Sequence, residues 1–442
     1  DGVIDLEQLT KNNFTAVNFH IHSDIVTSDK TQSLTAEISI NSTYQDLPLL
    51  LNTHVNHNDG LITLTDISGS APDITLTGNI NIKNALIDGD VKAHVLKLDA
   101  YKNLIGKDID GSGDIKILFS HLNEIQSTAL NLKINNLKTK DISLNNSEIS
   151  LSKSDTGYAL KATGNGIYQN PFSFDVATNL INLDNPDLPP MAQDIKAVLK
   201  IGNTPLNLMG AIDAQNIDIN IDTKNLSLSA LPIQLPQTLN NITLSGTASA
   251  KGLMSDPILR SNIVLSPISL SKKAPDLNIK IESDYKSGLA IIDLNGSGKG
   301  IEQLKGRLQT PIKLSLNPFV LDISNDQPLD GKINLSLQTK EIAESLLLPQ
   351  YDFSGFLTSQ INLRGSVKAP SITGNAVLKN GVFTDESSGV HLKNITMSSV
   401  FDNNKITLQS LTANDNKDGK LDANGTVFLN DKALGKTDIN LS

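Results

Sequence analysis

Apolar and polar residues alternate along the chain with a period of two. In a β-strand this pattern places apolar side chains on one face and polar side chains on the other. Five segments show it most clearly, and we expect their apolar members to line one face of a sheet: Ile74, Leu76, Ile80, Ile82, Leu130, Leu132, Ile134, Ile217, Ile219, Ile221, Ile333, Leu335, Leu337, Ile361 and Leu363. The residues between them are mainly Thr, Asn, Asp, Lys and Ser.

Short sequences typical of tight turns separate these segments, as expected for successive antiparallel hairpins. The turn signals are Asn58-Asp59-Gly60, Asp88-Gly89-Asp90, Asp110-Gly111, Asn403-Asn404 and the glycines 296, 298 and 300. Helix-compatible composition is confined to residues 98–105, 341–348 and 228–239, the last interrupted by Pro232 and Pro236. The pattern predicts an all-β fold: an elongated, twisted antiparallel sheet, rolled into an open groove (a β-taco), with a few short helices.

A weak internal repeat divides the chain into segments longer than a solenoid rung of about 20 to 50 residues. Gly246 begins GTASAKGLMSDP and Gly355 begins GFLTSQINLRGSVKAP, and both end on a glycine, four residues and a proline. An earlier copy begins at Gly111 without the proline. The predicted groove segments are residues 1–110, 111–245, 246–354 and 355–442, forming one continuous unit.

A sheet with one apolar face must cover it with another sheet, by rolling up, or with a ligand. The apolar residues are mostly aliphatic, and no sizeable amphipathic helix is predicted to cover them. A strongly twisted sheet that curls around its apolar face leaves an aliphatic groove. The alternative is a sealed core, as in a sandwich or a closed β-helix, which would carry no lipid.

Composition narrows the function classes. The 442 residues include 37 Lys and Arg against 47 Asp and Glu, a net charge of −10, which disfavours nucleic acid as a partner. Trp is absent and aromatics make up 4%, which disfavours stacking sites for single-stranded nucleic acid or carbohydrate. Cys is absent, so disulfides, thiolate metal sites and cysteine nucleophiles do not occur.

The chain opens at Asp1 and has no apolar window of the roughly 18 to 20 residues that a membrane helix needs. Its last residues, GKTDINLS, stop inside a strand-like pattern. We therefore expect an internal part of a longer protein, with any membrane anchor outside it.

Candidate chemical sites are few. His20 and His22 share a face, and His54 and His57 lie nearby, but with little carboxylate around them we interpret them as solvent-facing histidines. We expect no metal site, no cofactor and no enzymatic activity.

Two acidic patterns have simpler explanations as turns. Asp108, Asp110 and Asp114 resemble a catalytic carboxylate pair, yet Asp-Gly turns are common in β proteins. The sequence from Asn414 through Asn416 and Asp418 to Gly419 resembles a calcium loop, but its twelfth position is Gly425 instead of Glu. A hairpin turn explains it better.

Two stretches resemble the TamB family of the AsmA-like superfamily of bridge-like lipid transfer proteins. One is LDAYKNLIGKDIDGSGDIKI at residues 98–117, and the stronger is GFLTSQINLRGSVKAPSITGNAVLKNGVFTDESSGVHLKNITMSS from Gly355. In the second stretch small or turn-forming residues stand where the family repeatedly places them, at Gly365, Pro370, Gly374, Gly381 and Gly389, before the strand at residues 392–395.

The resemblance implies a periplasmic protein anchored to the inner membrane, whose groove moves phospholipids toward the outer membrane through contact with their acyl chains. It also implies a role in assembling outer-membrane proteins and a TamA-like Omp85 partner, bound through regions outside this chain. The alternatives are a scaffold that pairs its strand edges with outer-membrane proteins, and a structural adhesin or β-helix surface protein.

Overall fold

The computed structural model describes most of the chain. The described residues are 14–28, 31–44, 47–84, 86–102, 109–120, 127–183, 187–231, 241–268, 276–346, 351–415, 417, 419–430 and 433–442. They form two compact units, one of residues 1–203 with 209–213, the other of residues 204–208 with 214–442.

The described residues of the first unit form twelve strands. They are β1 (Phe14–Ser28), β2 (Thr31–Tyr44), β3 (Leu47–Asn58), β4 (Leu61–Ala71), β5 (Ile74–Lys83), β6 (Leu86–Val95), β7 (Asp110–Ser120), β8 (Ser127–Lys138), β9 (Ser143–Ser154), β10 (Gly157–Tyr168), β11 (Asn170–Ile181) and β12 (Met191–Ile201). Strand β13 (Thr204–Ile212) is divided between the two units.

The second unit continues the same pattern. Its strands are β14 (Asn216–Ser227), β15 (Thr243–Leu253), β16 (Asp256–Ile268), β17 (Leu277–Lys286), β18 (Leu289–Gly298), β19 (Ile301–Pro311), β20 (Lys313–Leu316), β21 (Phe319–Asp322), β22 (Asp330–Gln338), β23 (Tyr351–Gly365), β24 (Pro370–Asp385), β25 (Val390–Asp402), β26 (Lys405–Asn414), β27 (Lys420–Asn430) and β28 (Ala433–Leu441).

Nearly all strands belong to one antiparallel sheet of 26 strands, and β20 and β21 form a separate pair. In the first unit each strand from β1 to β12 hydrogen-bonds to the next in sequence. In the second unit the same holds from β14 to β28, with β19 pairing directly with β22. The sheet is not closed on itself, which confirms the predicted all-β class with an open antiparallel sheet.

The described residues contain three short helical segments, and each stands where the sequence favours a helix. The first 3-10 turn is Asp99–Tyr101 and the second is Leu228–Ala230. The α-helix α1 spans Lys340–Leu346 and packs on β23. The remainder of the three predicted stretches, residues 103–105, 232–239 and 347–348, lies outside the described residues. Among those that are described, no helix has the length and apolar character needed to cross a bilayer.

Each of these helical segments precedes a strand that carries a predicted repeat start. Gly111 lies in β7, Gly246 in β15 and Gly355 in β23. The repeat boundaries themselves stay a prediction, because the strand pairing runs through them.

The predicted turns at Asn58-Asp59-Gly60 and Asn403-Asn404 are confirmed. Asp59, Gly60 and Asn403 take the positive φ angles of 48°, 73° and 51° that tight hairpins require. Asn403 joins β25 to β26, and its backbone N–H donates to Ile372 O at 2.7 Å.

Two other turn predictions are wrong and a third holds only at its last glycine, because the remaining glycines lie inside strands. Gly89 is within β6 and faces Phe119, whose Cζ would be 3.0 Å from a Cβ at that position. Gly111 is within β7, and Gly296 and Gly298 are within β18. Glycine there makes room for a neighbouring strand or side chain, and only Gly300 of the last group is in a turn, with φ 80°.

Full burial is rare and local. The clearest apolar cluster in the described residues consists of Leu378, Ile395 and Ala413, with Phe353 and Phe383 packed against it. Most other apolar side chains in the sheet are half-buried. The free energy from apolar burial is therefore spread thinly along the strands instead of concentrated in one core.

Candidate functional site

The candidate site is the apolar face of the sheet, and cross-strand register makes it continuous within the first unit. Ile80 pairs with Leu64 on one side, and Leu132 pairs with Ile115 and Ile149. Strand β5 alternates without a break, because Ile74, Leu76, Ile80 and Ile82 are half-buried while the residues between them are exposed, apart from the buried Gly78. The remaining predicted residues, Leu130 and Ile134, are also aligned with this face.

The second unit repeats this arrangement. Ile217, Ile219 and Ile221 on β14 face the small residues Gly252, Ala250 and Ala248 on β15. Leu335 pairs with Leu304, Leu337 with Leu357, and Ile361 with Ile333. Leu363 faces Gly331 and Ile372. All fifteen residues predicted from the alternation thus lie on the apolar face of their own unit.

Exposure distinguishes this face from an ordinary core. Ile333 is 39% exposed, whereas Ile219 and Leu337 are buried at 9% and 6%. The rest of the predicted set is half-buried. In the described part of the chain, strands make their main contacts with their sheet neighbours, and no second sheet covers the apolar face except the small β20–β21 hairpin. Most of these aliphatic side chains therefore keep part of their surface exposed in the described structure.

Small hydroxyl side chains mark where the strands bend, and the alternation pattern did not reveal them. Thr53, Ser147, Thr178, Thr223 and Ser399 are each no more than 9% exposed. Each lies on the apolar face at an irregularity in the strand register. Their burial is local, at the positions where the strand register shifts.

The hydroxyls are satisfied by backbone carbonyls, as buried polar groups need to be. Thr178 Oγ1 donates to Gln193 O at 2.8 Å, and Thr223 Oγ1 donates to Pro205 O at 2.8 Å. In both cases the accepting carbonyl belongs to a neighbouring strand.

Asp and Asn residues with positive φ form the bulges beside four of these hydroxyls, those of Thr53, Ser147, Thr178 and Thr223. Asp66, Asn146, Asp194 and Asn225 have φ of 53°, 45°, 51° and 57° inside strands β4, β9, β12 and β14. Asp and Asn tolerate this conformation better than most residues, and a bulge bends the strand and increases its twist. The sequence signal is an Asp or Asn that interrupts the alternation in mid-strand.

A depression of about 340 Å³ opens on the apolar face of the first unit. Ile40, Leu49, Leu51, Ile74 and Leu76 contribute to its lining. Two of these, Ile74 and Leu76, are among the predicted residues.

The polar face carries larger hollows, of about 820, 680 and 690 Å³, the first two in the first unit and the third in the second. Cross-strand pairs of polar and charged side chains line them. His94 Nδ1 is 2.6 Å from Asp114 Oδ1, and Arg260 Nε is 2.9 Å from Asp284 Oδ2. Exposed pairs of this kind contribute about 0 to 1 kcal/mol each and keep this face hydrated.

The histidines divide between the two faces. His20 and His22 are exposed, and His54 is exposed between Glu37 at 3.2 Å and Asp66 at 3.6 Å. The prediction that His57 faces solvent is wrong, because its side chain is half-buried opposite Leu34 and Ile62 on the apolar face. The side chains of its neighbours Asn56 and Asn58 lie on the polar face and are exposed.

The acidic candidates are separated by the fold. Asp110 begins β7, Asp114 pairs with His94, and Asp108 lies outside the described residues. Asn414 ends β26 and Gly419 precedes β27, which confirms a hairpin there, while residues 416 and 418 are not described.

Three side chains with a shifted pKa, those of Asp415, Asp385 and Tyr101, lie at turns. In the turn after Asn414, the backbone N–H groups of Lys417 and Gly419 donate to Asp415 and lower the pKa of its carboxyl. The hydroxyls of Ser387 and Ser388 likewise lower the pKa of Asp385. At the first 3-10 turn, burial raises the pKa of Tyr101, whose hydroxyl donates to Pro72 O at 2.8 Å.

One element lies over the rim of the apolar face. We call residues 313–322, which form β20 and β21, the strap hairpin. Leu314 N–H donates to the Tyr285 hydroxyl at 3.2 Å, and Leu316 N–H donates to Met254 O at 2.6 Å. Tyr285 projects from the apolar face, opposite Leu259 and Ala290, so this bond places the strap hairpin on the apolar side of the sheet.

The amino-acid sequence was compared with protein-family models and with curated proteins. Neither protein-family models nor curated proteins match the chain. The resemblance to the TamB family remains a prediction from the residues quoted for it, and the geometry of the apolar face carries the functional argument.

Proposed function

We propose that the apolar face binds the acyl chains of phospholipids and conducts them along the sheet, moving lipid between membranes without chemical conversion. One observation carries this proposal: rows of register-matched aliphatic side chains run across consecutive strands of each unit and stay half-exposed. Leu132 with its partners Ile115 and Ile149 is one such row.

The physical chemistry of an aliphatic surface suits this cargo. Each methylene transferred out of water contributes about 0.8 kcal/mol, so ten methylenes contribute about 8 kcal/mol if fully covered. The attraction is non-directional, and a chain can slide from one row to the next without breaking specific bonds. The low aromatic content, 4%, fits a flexible aliphatic guest better than a flat aromatic one.

The charged head group of a bound lipid stays in water. Burying an unpaired charge on this face would cost several kcal/mol. Lys, Asp and Glu of the charge pairs, such as Lys251 with Asp218 at 3.1 Å, lie on the other face of the sheet. The cargo is therefore recognised by its chains, and head-group selectivity is expected to be low.

Location and partners rest on the resemblance to the TamB family alone. On that basis we place the protein in the periplasm, as part of a longer chain anchored to the inner membrane. A role in outer-membrane biogenesis and a TamA-like Omp85 partner belong to the same proposal.

A pair of adjacent substitutions tests lipid binding. Ile333→Asp places a charge on the apolar face, at a position already 39% exposed, and Lys332→Asp changes the neighbouring exposed residue on the polar face. We expect Ile333→Asp to lower the amount of radiolabelled phosphatidylcholine taken up from vesicles at least threefold, while Lys332→Asp leaves it near the parent value. Circular dichroism checks that both variants keep their strand content.

Equal lipid uptake by both variants would contradict the proposal. So would the absence of uptake by the parent chain, which would favour the strand-edge scaffold instead.

A further inference from the structure

We propose that the strap hairpin is a movable gate on the rim of the apolar face, and that an acyl chain enters the second unit by displacing it. This inference rests on the proposed lipid-binding function and adds its regulation. The strap hairpin is separate from the main sheet and crosses the ends of several strands instead of pairing alongside them.

The strap hairpin is attached to three turns on the same rim. Ile312 N–H, just before it, donates to Gly288 O at 2.9 Å in the β17–β18 turn. Ser315 Oγ donates to Met254 O at 3.4 Å in the β15–β16 turn. Asn317 Nδ2, at the tip, donates to Ala214 O at 3.4 Å in the β13–β14 turn.

Burial follows these attachments. Met254, Tyr285 and Ser315 are 9%, 7% and 8% exposed. Farther along the same strands the apolar face is more open, and Ile292 on β18 is 38% exposed. The strap hairpin thus covers the rim of the apolar face, so a chain that enters from this rim must pass the hairpin before it reaches the middle of the strands.

The strap hairpin also carries apolar surface that the described structure leaves uncovered. Leu321 pairs with Leu314, and Phe319 pairs with Leu316, so these four side chains share one face of the hairpin. Phe319 is 73% exposed and Leu321 is 55% exposed. Such residues are costly to leave in water, and a lipid chain passing this rim would cover them.

A few hydrogen bonds hold the gate closed. Each contributes about 0.5 to 1.5 kcal/mol net. An acyl chain that gains about 0.8 kcal/mol per methylene can compensate for their loss after a few methylenes have entered.

Tying the strap hairpin to the rim tests the gate. The chain has no Cys, so Ala214→Cys with Asn317→Cys introduces the only two thiols, both at exposed positions. A short thiol-reactive crosslinker with a cleavable disulfide then joins the tip to the β13–β14 turn. The matched control, Leu253→Cys with Asp256→Cys, joins two exposed register partners across a single turn of the same rim and leaves the strap hairpin free.

Lipid access is read by photo-crosslinking. A benzophenone side chain replaces Ile263, half-buried on the apolar face of β16, and in a parallel sample Leu132 in the first unit. The samples are mixed with vesicles of tritiated phosphatidylcholine. We expect tying to lower lipid labelling at position 263 at least fivefold, with recovery after reduction, and to leave labelling at position 132 unchanged.

Three results would overturn one claim or the other. If labelling at position 263 persists in the tied protein, the strap hairpin is a fixed brace and the gate is wrong, although lipid binding stands. If neither position is labelled in the untied protein, the proposed lipid-binding function itself fails. Loss of labelling at 263 in the control pair would also refute the gate.

Discussion

Phe172 lies across Gly166 of the neighbouring strand. The two are register partners, and a Cβ at position 166 would lie 2.8 Å from Phe172 Cζ. Gly89 with Phe119, Gly164 with Phe174 and Gly374 with Phe401 form the same kind of pair. In each pair the ring occupies the space that a side chain on the glycine would need.

Gly166→Ala is expected to destabilise the β10–β11 region by about 1 to 3 kcal/mol, because the new methyl group displaces the ring or the backbone of β9. Urea denaturation followed by circular dichroism measures the change. Asn165→Ala, at the exposed neighbouring position, is the control and is expected to change stability by less than about 0.5 kcal/mol. A neutral Gly166→Ala would show that the ring is not held over the glycine.

The bulge at Asn146 gives a second prediction. Its φ is 45° and its side chain is exposed. Asn146→Val is expected to lower the free energy of unfolding by about 1 to 2 kcal/mol, because a β-branched residue avoids this conformation. Asn146→Gly is expected to leave it unchanged or to raise it slightly. Hydrogen exchange of β9 and β10 amides reports the difference. Equal exchange in the two variants would mean that the bulge does not require positive φ.

Acid is expected to loosen the turn at Asp385. The hydrogen bonds from Ser387 and Ser388 lower the pKa of this carboxyl below its ordinary value of 3.8. A group with a lowered folded pKa stabilises the fold above its ordinary pKa, and this contribution is lost as the pH falls through the lowered value.

The measurement for that turn is the exchange rate of the Ser387 amide, whose N–H donates to Asp385 Oδ1 at 2.9 Å. After correction for intrinsic exchange, protection should hold down to pH 4 and fall below it. Asp385→Asn should remove the pH dependence. Constant protection between pH 4 and pH 2 would contradict this account.

The sequence predicted the apolar face well, because period-two alternation determines side-chain direction without knowledge of the partners. Ile80 and Leu132 lie where that reasoning placed them. Glycine was harder to interpret. Gly89 and Gly296 resemble turn residues in sequence, but their role depends on the side chain across the strand, which only the register reveals.

The exposed fraction of each residue on the apolar face could not be predicted from the sequence either. Ile219 and Ile333 have the same residue type and the same alternation, yet they are 9% and 39% exposed. A charge at Ile219 would test stability as much as lipid passage, so Ile333 is the better probe. The strap hairpin could not be predicted either, because its contacts with Ala214 and Met254 span 103 and 61 residues.

The most direct test of the central claim is a photo-crosslinking scan along β22. A benzophenone side chain is placed in turn at Lys332, Ile333, Asn334 and Leu335, and each protein is irradiated with vesicles of tritiated phosphatidylcholine. Lipid adducts are expected at 333 and 335, and at most a few per cent of that yield at 332 and 334. Equal labelling at all four positions, or none at 333 and 335, would contradict the central claim.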